Sequence, residues 1–153
     1  EVSGYAMTHE SVTVGTIKGS GAALCKAVLK ACENAGITTD YIDAVVGFGN
    51  GNTNVDTIET ESYEKVFGDK VKTLPVLSVK TLTGEARACS AALSAAHAAM
   101  ILSGELDSTQ PAYNFVNGKA VKTTTDTKNF KYILVTSYAA GGSYTAVVLK
   151  KVQ

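Results

Sequence analysis

Apolar positions along this chain follow two rhythms. Leu24, Ala27, Val28 and Ala31 recur at helical spacing, with Lys26, Lys30 and Glu33 on the opposite side. They predict a helix opening at Gly19-Ser20-Gly21, capped by Ser20 and stopped at Gly36. Ala44-Val45-Val46-Gly47-Phe48 is a continuous apolar run, the signature of a buried parallel strand. Asp56 to Phe67 predicts a second helix, with Ile58, Tyr63 and Val66 inward and Glu59, Glu61, Glu64 and Lys65 mostly exposed. Leu74 to Val79 predicts another buried strand, running into a tight turn at Thr83 and Gly84. Val2 to Tyr5 predicts a short strand whose edge Val12 to Val14 continues. Tyr132–Ser137 and Tyr144–Val152 read as strands of a hairpin joined at Ala139-Ala140-Gly141-Gly142-Ser143. The polar, Thr-rich stretch Asp107 to Asn129 predicts a loop with short strands near Tyr113–Val116 and Lys119–Val121.

The rest is organised around Glu85 to Ser103. After Arg87 the only strongly polar side chain before Ser103 is His97, among Ala, Ser, Cys, Leu, Met and Ile. A helix apolar all round has to be covered all round. Its small residues let neighbouring backbones approach, so it is expected to pack on a sheet below and another helix above. The order strand, helix, strand, helix, strand, helix, hairpin gives an α/β fold with a mixed β-sheet, packed helices and a central Ala-rich helix. At this length, residues 1–153 are expected to form a single domain.

Charge narrows the partners. Lys plus Arg and Asp plus Glu both number 14, and this balance argues against a nucleic-acid partner. The Ala-rich helix is too weakly hydrophobic to span a bilayer. Glu1-Val2-Ser3-Gly4-Tyr5 has neither the basic start nor the apolar core of a signal peptide. A chain opening this way, without an initiating Met, was either trimmed or begins where another segment enters the fold. Three cysteines (Cys25, Cys32 and Cys89), none in CxxC spacing, fit reduced thiols and a cytoplasmic location better than a disulfide frame. Cys25 and Cys32 on one helix would stand roughly 10 Å apart, too far to bridge. His9 and His97 lack ligand-spaced partners, so no metal site is expected.

Candidate chemistry is sparse. The Gly/Asn loop from Phe48 to Thr53 follows a buried strand, where open α/β sheets bind ligands; it also reads as a plain turn. Lys80 stands at a second such strand end, either solvated or paired with Glu85 or Asp56. His97, mid-helix among alanines, reads as a hydrogen-bonded core histidine rather than a base. Nothing in these residues alone performs a reaction.

Three motifs taken together resemble the C-terminal half of a β-ketoacyl synthase of the thiolase superfamily. The family's His-Gly-Thr-Gly-Thr, followed by an Asp and a Glu, aligns with Phe48-Gly49-Asn50-Gly51-Asn52, with Asp56 and Glu59 in register. Its Ser-Val-Lys-Ser-x-x-Gly-His aligns with Ser78-Val79-Lys80-Thr81-Leu82-Thr83-Gly84-Glu85 before the Ala-rich helix. Its Asn-Ser-Phe-Gly-Phe-Gly-Gly aligns with Thr136-Ser137-Tyr138-Ala139-Ala140-Gly141-Gly142.

The resemblance implies a thiolase-like half-fold, and the departures carry the functional expectation. Both family histidines, which serve decarboxylation and condensation, are replaced, by Phe48 and Glu85. Phenylalanine exchanges no proton, and a glutamate repels developing negative charge unless Lys80 neutralises it. The threonines that hold the phosphopantetheine arm become Asn50 and Asn52, and the nucleophilic cysteine belongs to the half of the family fold outside this chain. Phe48, Asn50, Asn52, Lys80, Glu85 and Tyr138 then mark a family-motif pocket with no catalytic residue, no metal and no cofactor.

Such a dead frame looks like a chain-length factor, the inactive subunit that pairs with a ketosynthase α subunit in type II polyketide synthases and meets the acyl carrier protein only indirectly. A shortened factor, one half of a split condensing enzyme and a proteolytic remnant all fit the length. Two alternatives are an acyl-carrier or acyl-thioester binding module using the Phe48–Thr53 loop, and an acyl-transferring enzyme using Cys89 with His97. In the complete family fold the Ala-rich helix packs on its counterpart from the other half. Leaving roughly 300 to 600 Å² of apolar surface bare favours association, so an obligate partner is expected to cover it.

Overall fold

A computed structural model describes residues 1–13, 15, 16, 19–116 and 118–152. Its seven-stranded mixed sheet runs in the order β1-β7-β6-β2-β3-β4-β5. The strands are β1 (Val2–His9), β2 (Ala44–Val46), β3 (Val76–Leu77), β4 (Thr109–Val116), β5 (Lys119–Asp126), β6 (Tyr132–Ala139) and β7 (Ser143–Lys150). The helices are α1 (Ala22–Asn34), α2 (Thr53–Phe67), a single turn α3 (Lys80–Thr83) and α4 (Ser90–Ser103). β2 lies centrally, parallel to β6 and β3, whereas the β1–β7, β6–β7, β3–β4 and β4–β5 pairings are antiparallel.

Each face of the sheet has its own core. On one, α1 and α2 pack Leu24, Val28, Ile58 and Tyr63 over Val45, Leu134 and Val148. On the other, Ala98, Ile101 and Leu102 of α4 sit over Ala44, Val46, Leu77, Ile133 and Val135. Alternation along β2 divides its side chains between the two cores, which is why that strand reads as apolar throughout.

Several expectations are corrected. β1 runs on to His9, because Gly4, Ala6 and Thr8 alternate toward α1 while Tyr5 and Met7 face outward. Val12 and Thr13 do not extend it, and Val14 lies outside the described residues. Gly21, with φ 74°, occupies the cap position of α1 in place of Ser20, whose hydroxyl accepts from Ala22 N at 3.2 Å. Gly36, with φ 69°, does end α1, and Ile37 N donates back to Cys32 O. The strand expected over Leu74–Val79 shrinks to two residues. The short strands expected near Tyr113–Val116 and Lys119–Val121 are present but longer, so that most of the loop expected over Asp107–Asn129 is a hairpin, β4–β5. Its outer strand buries no side chain, so it carried no apolar signal.

The Ala-rich helix departs most. Glu85 to Cys89 is not helical like the rest: Arg87 has φ 51° and leads into a 3-10 turn. α4 then buries Ser90, Ser94, Ala98, Ile101 and Leu102 against the sheet. Its other face is open, with Leu93 and Met100 exposed. The principal contacts of α4 with other elements are to β2, β6, β7 and the preceding turn, and the helix expected above it is not among them.

Candidate functional site

The parallel strands β2 and β3 end side by side, and Gly47-Phe48-Gly49 leaves β2 where Lys80 leaves β3. Gly47 N donates to Leu77 O at 3.0 Å, and Ser78 Oγ donates to Gly49 O at 3.3 Å, so the two strand ends are stitched together.

Glu59 holds the loop from the other side. Although the helical pattern placed it among exposed residues, it is 6% exposed. Its Oε1 accepts from Phe48 N (2.8 Å), Tyr63 Oη (2.6 Å) and Thr136 Oγ1 (3.1 Å), and its Oε2 from Gly49 N (2.6 Å). Four donors on one buried carboxyl group satisfy both the loop and the polar atoms beneath it. Burial and the neighbouring Glu59 charge push the Tyr63 phenol well above its usual range. The alignment with the family motif had marked Glu59, and its helical spacing concealed it. Thr136 was visible only as the first residue of the third motif, and Tyr63 and Ser90 were missed altogether as site residues, since nothing local marks them.

Lys80 comes next, its side chain 7% exposed. Its Nζ donates to Phe48 O at 2.6 Å, lies 3.2 Å from Glu85 Oε2 and sits 3.1 Å from the centroid of the Phe48 ring. The expected ion pair with Glu85 is present. Burial lowers the pKa of Lys80, opposed by Glu85, Glu59 and Asp56. Glu85 Oε1 accepts from Arg87 N at 2.7 Å and Ser90 Oγ at 2.5 Å. Burial opposes its ionisation, but those bonds and Lys80 outweigh that and hold its carboxyl at about 2.

The remaining motif residues turn elsewhere. Asn50 Oδ1 accepts from Asn52 N, and Asn52 Oδ1 caps α2 by accepting from Asn54 N, both at 3.0 Å. Tyr138 packs edge-on to Phe48, with ring centroids 5.9 Å apart, and donates to Thr16 O at 3.3 Å. The crevice lined by Phe48, Glu59, Thr136, Tyr138 and Tyr144 keeps a cavity of about 10 Å³, space for about one water molecule.

Chemically, the site is a charge-compensated plug. The cation at Lys80 is spent on a carbonyl, an aromatic face and Glu85. Cys89 is exposed in the turn before α4, and no hydrogen bond joins it to His97 among the described residues. Nor is His97 the hydrogen-bonded histidine expected: both ring nitrogens are enclosed without a hydrogen-bond partner among the described residues. Burial lowers its pKa, with Gln110 beside it acting in the opposite direction.

Residues 1–112 match the family described as Beta-ketoacyl synthase, C-terminal domain. A curated relative, 3-oxoacyl-(acyl-carrier-protein) synthase 2 of Rhizobium meliloti, is 26% identical over 99% of this chain and 37% of its own length. Among solved structures, a ketosynthase (ApeO) in complex with its chain length factor (ApeC) from Xenorhabdus doucetiae superposes with a TM-score of 0.84 at 21% identity, covering 99% of this chain and 39% of the other. A type II PKS acyl-carrier protein in complex with its ketosynthase bound to the hexaketide gives 0.83 at 17%, covering 99% and 38%. The fold is therefore the thiolase-like ketosynthase fold, and the chain spans well under half the length of the relatives it matches.

Proposed function

The chain belongs to the β-ketoacyl synthase C-terminal domain family, and from that premise we propose that it is a non-catalytic, chain-length-factor-like subunit of a type II polyketide ketosynthase. In this reading it pairs with an active ketosynthase, supports it and shapes the wall of the acyl-chain pocket. It meets the acyl carrier protein only through that partner. Phe48, Lys80, Glu85 and Tyr138 then mark a family pocket retained for its form, while Asn50 and Asn52 serve the loop and the cap of α2.

One observation carries the reading: the two positions that hold histidines in the family are Phe48 and Glu85, and Lys80 locks them together. Neither of these two positions can donate a hydrogen bond to an enolate oxygen, Phe48 having no polar group and Glu85 being held ionised against Lys80. The cavity of about 10 Å³ speaks against an acyl-thioester binding module, because a thioester needs far more room. The outer surface supports a partner. Tyr5 (67% exposed) and Met7 (76%) point away from α1, toward the side of the sheet that carries α4, where Leu93 and Met100 are also bare.

Co-expression with a ketosynthase, followed by affinity capture and product mass measurement with and without this chain, tests the proposal. Capture of the ketosynthase and a changed product spectrum are expected. Condensation of malonyl units by this chain alone would overturn the reading.

A further inference from the structure

The hairpin β4–β5 extends past the family-matched residues 1–112, so its outer strand inherits no role from the family. β5 closes the sheet on that side, and among the described residues its outer edge has no neighbouring strand. Thr127 N donates inward to Ser108 O at 2.7 Å. Hydrogen-bonding direction alternates along an antiparallel strand, so the N–H and C=O groups of Lys122, Thr124 and Asp126 point outward. Among the described residues the only group that meets the Thr124 carbonyl is the Thr123 hydroxyl, at 3.3 Å. At the opposite edge of the sheet the Tyr5 carbonyl of β1 is covered, by Asn34 Nδ2 at 2.9 Å.

An open edge of this length is a template for another strand, and here the side chains specify which. Lys122, Thr124 and Asp126 are all exposed, and neither Lys122 nor Asp126 has an ion-pair partner among the described residues. A lone edge lysine would repel its own copy. Asp126, four positions on, changes the outcome.

We propose that β5 pairs antiparallel with β5 of a second copy about a two-fold axis through Thr124. In that register Thr124 faces its counterpart and exchanges both backbone hydrogen bonds with it. Lys122 of each copy faces Asp126 of the other, and Thr123 lies beside Thr125. Opposite charges directly across an antiparallel pair stabilise it, whereas moving the axis to Lys122 would set two lysines face to face. Val121 and the three threonines supply the β-branched composition that such a pair favours.

The test is sedimentation of the chain across a concentration series, alongside Thr124→Pro, Lys122→Asp and the double variant Lys122→Asp/Asp126→Lys. Proline at 124 deletes an outward N–H and leaves the β4–β5 ladder bonds in place, so an unchanged melting temperature serves as the control for folding. The wild type is expected to dimerise, and Thr124→Pro and Lys122→Asp to weaken the dimer at least tenfold. The double variant, which restores the opposed charges, is expected to recover it. A wild type that stays monomeric at several hundred micromolar, a dimer indifferent to Thr124→Pro, or a double variant no better than Lys122→Asp would each overturn the proposal. Ala96→Glu on the open face of α4 is the further control: a dimer that this substitution abolishes belongs to α4 and counts against β5.

Discussion

Glu59 shows how much a single residue decides. Its carboxyl oxygens collect four donors, two from the loop that follows β2, one from α2 and one from β6. Glu59→Gln keeps the shape but replaces one acceptor oxygen with an NH₂ that faces donors, leaving at least one buried N–H or O–H unpaired. A loss of about 2–3 kcal/mol is expected, read as a lowered urea midpoint with unchanged slope. Glu85 gives a test in pH. Its carboxyl titrates near 2 in the folded chain, below its ordinary value of 4.5, so the ionised form is bound more favourably in the folded state. The stability it contributes is complete above pH 4.5 and disappears as pH falls from there toward 2. Wild type and Glu85→Gln should therefore differ at pH 6 and converge by pH 2, as urea midpoints across that range will report. Residue patterning offered Glu85 and Asp56 as partners for Lys80, and the structure pairs it with Glu85, the one close in sequence. Patterning did not reveal Glu59 as buried, because a glutamate among other glutamates on a helix carries no local sign that two remote segments, the loop after β2 and β6, need it.

Elements were legible where one face is apolar and the other wet. α1, β2 and the β6–β7 hairpin follow their hydrophobic rhythm to within a few residues. β5 does not, because both of its faces meet water and its stability comes from the ladder to β4 rather than from a core. α4 misled in the other direction: composition alone makes it apolar all round, yet only five of its residues are buried. Close packing between α1 and β1 depends on Gly4, where an added Cβ would stand 2.3 Å from Ala31 O and 2.8 Å from Ala35 Cβ. Ala31 O belongs to the backbone of α1 and Ala35 Cβ to its C-cap, and neither can swing aside, so Gly4→Ala forces the two elements apart. We expect it to cost about 1–3 kcal/mol, measurable as a fall in melting temperature.

At the scale of the molecule, the covered and uncovered faces differ sharply. The α1–α2 side is sealed, while the α4 side ends in an apolar surface with Leu93, Met100, Tyr5 and Met7 in water. The isolated chain should therefore bind a hydrophobic dye and show faster hydrogen exchange along α4 than along α1. A cognate ketosynthase should suppress both, and dye fluorescence with exchange mass spectrometry will measure it. An unchanged exchange pattern in the captured complex would place the partner elsewhere.

The topology of the sheet also sets an order of events. β2 is three residues long, and its neighbours in the ladder are Val76–Leu77 and Ile133–Val135, the latter some ninety positions away. The hairpins at either side form between segments already adjacent and incur little loop-closure entropy. The middle of the sheet can zip only after both halves have found one another. Synthesis must have passed Val135 before β2 can be enclosed. Until then its three apolar residues and the loop beyond them stay open to solvent, so a nascent chain halted ahead of that point should hold the segment from β1 to α4 without a closed centre.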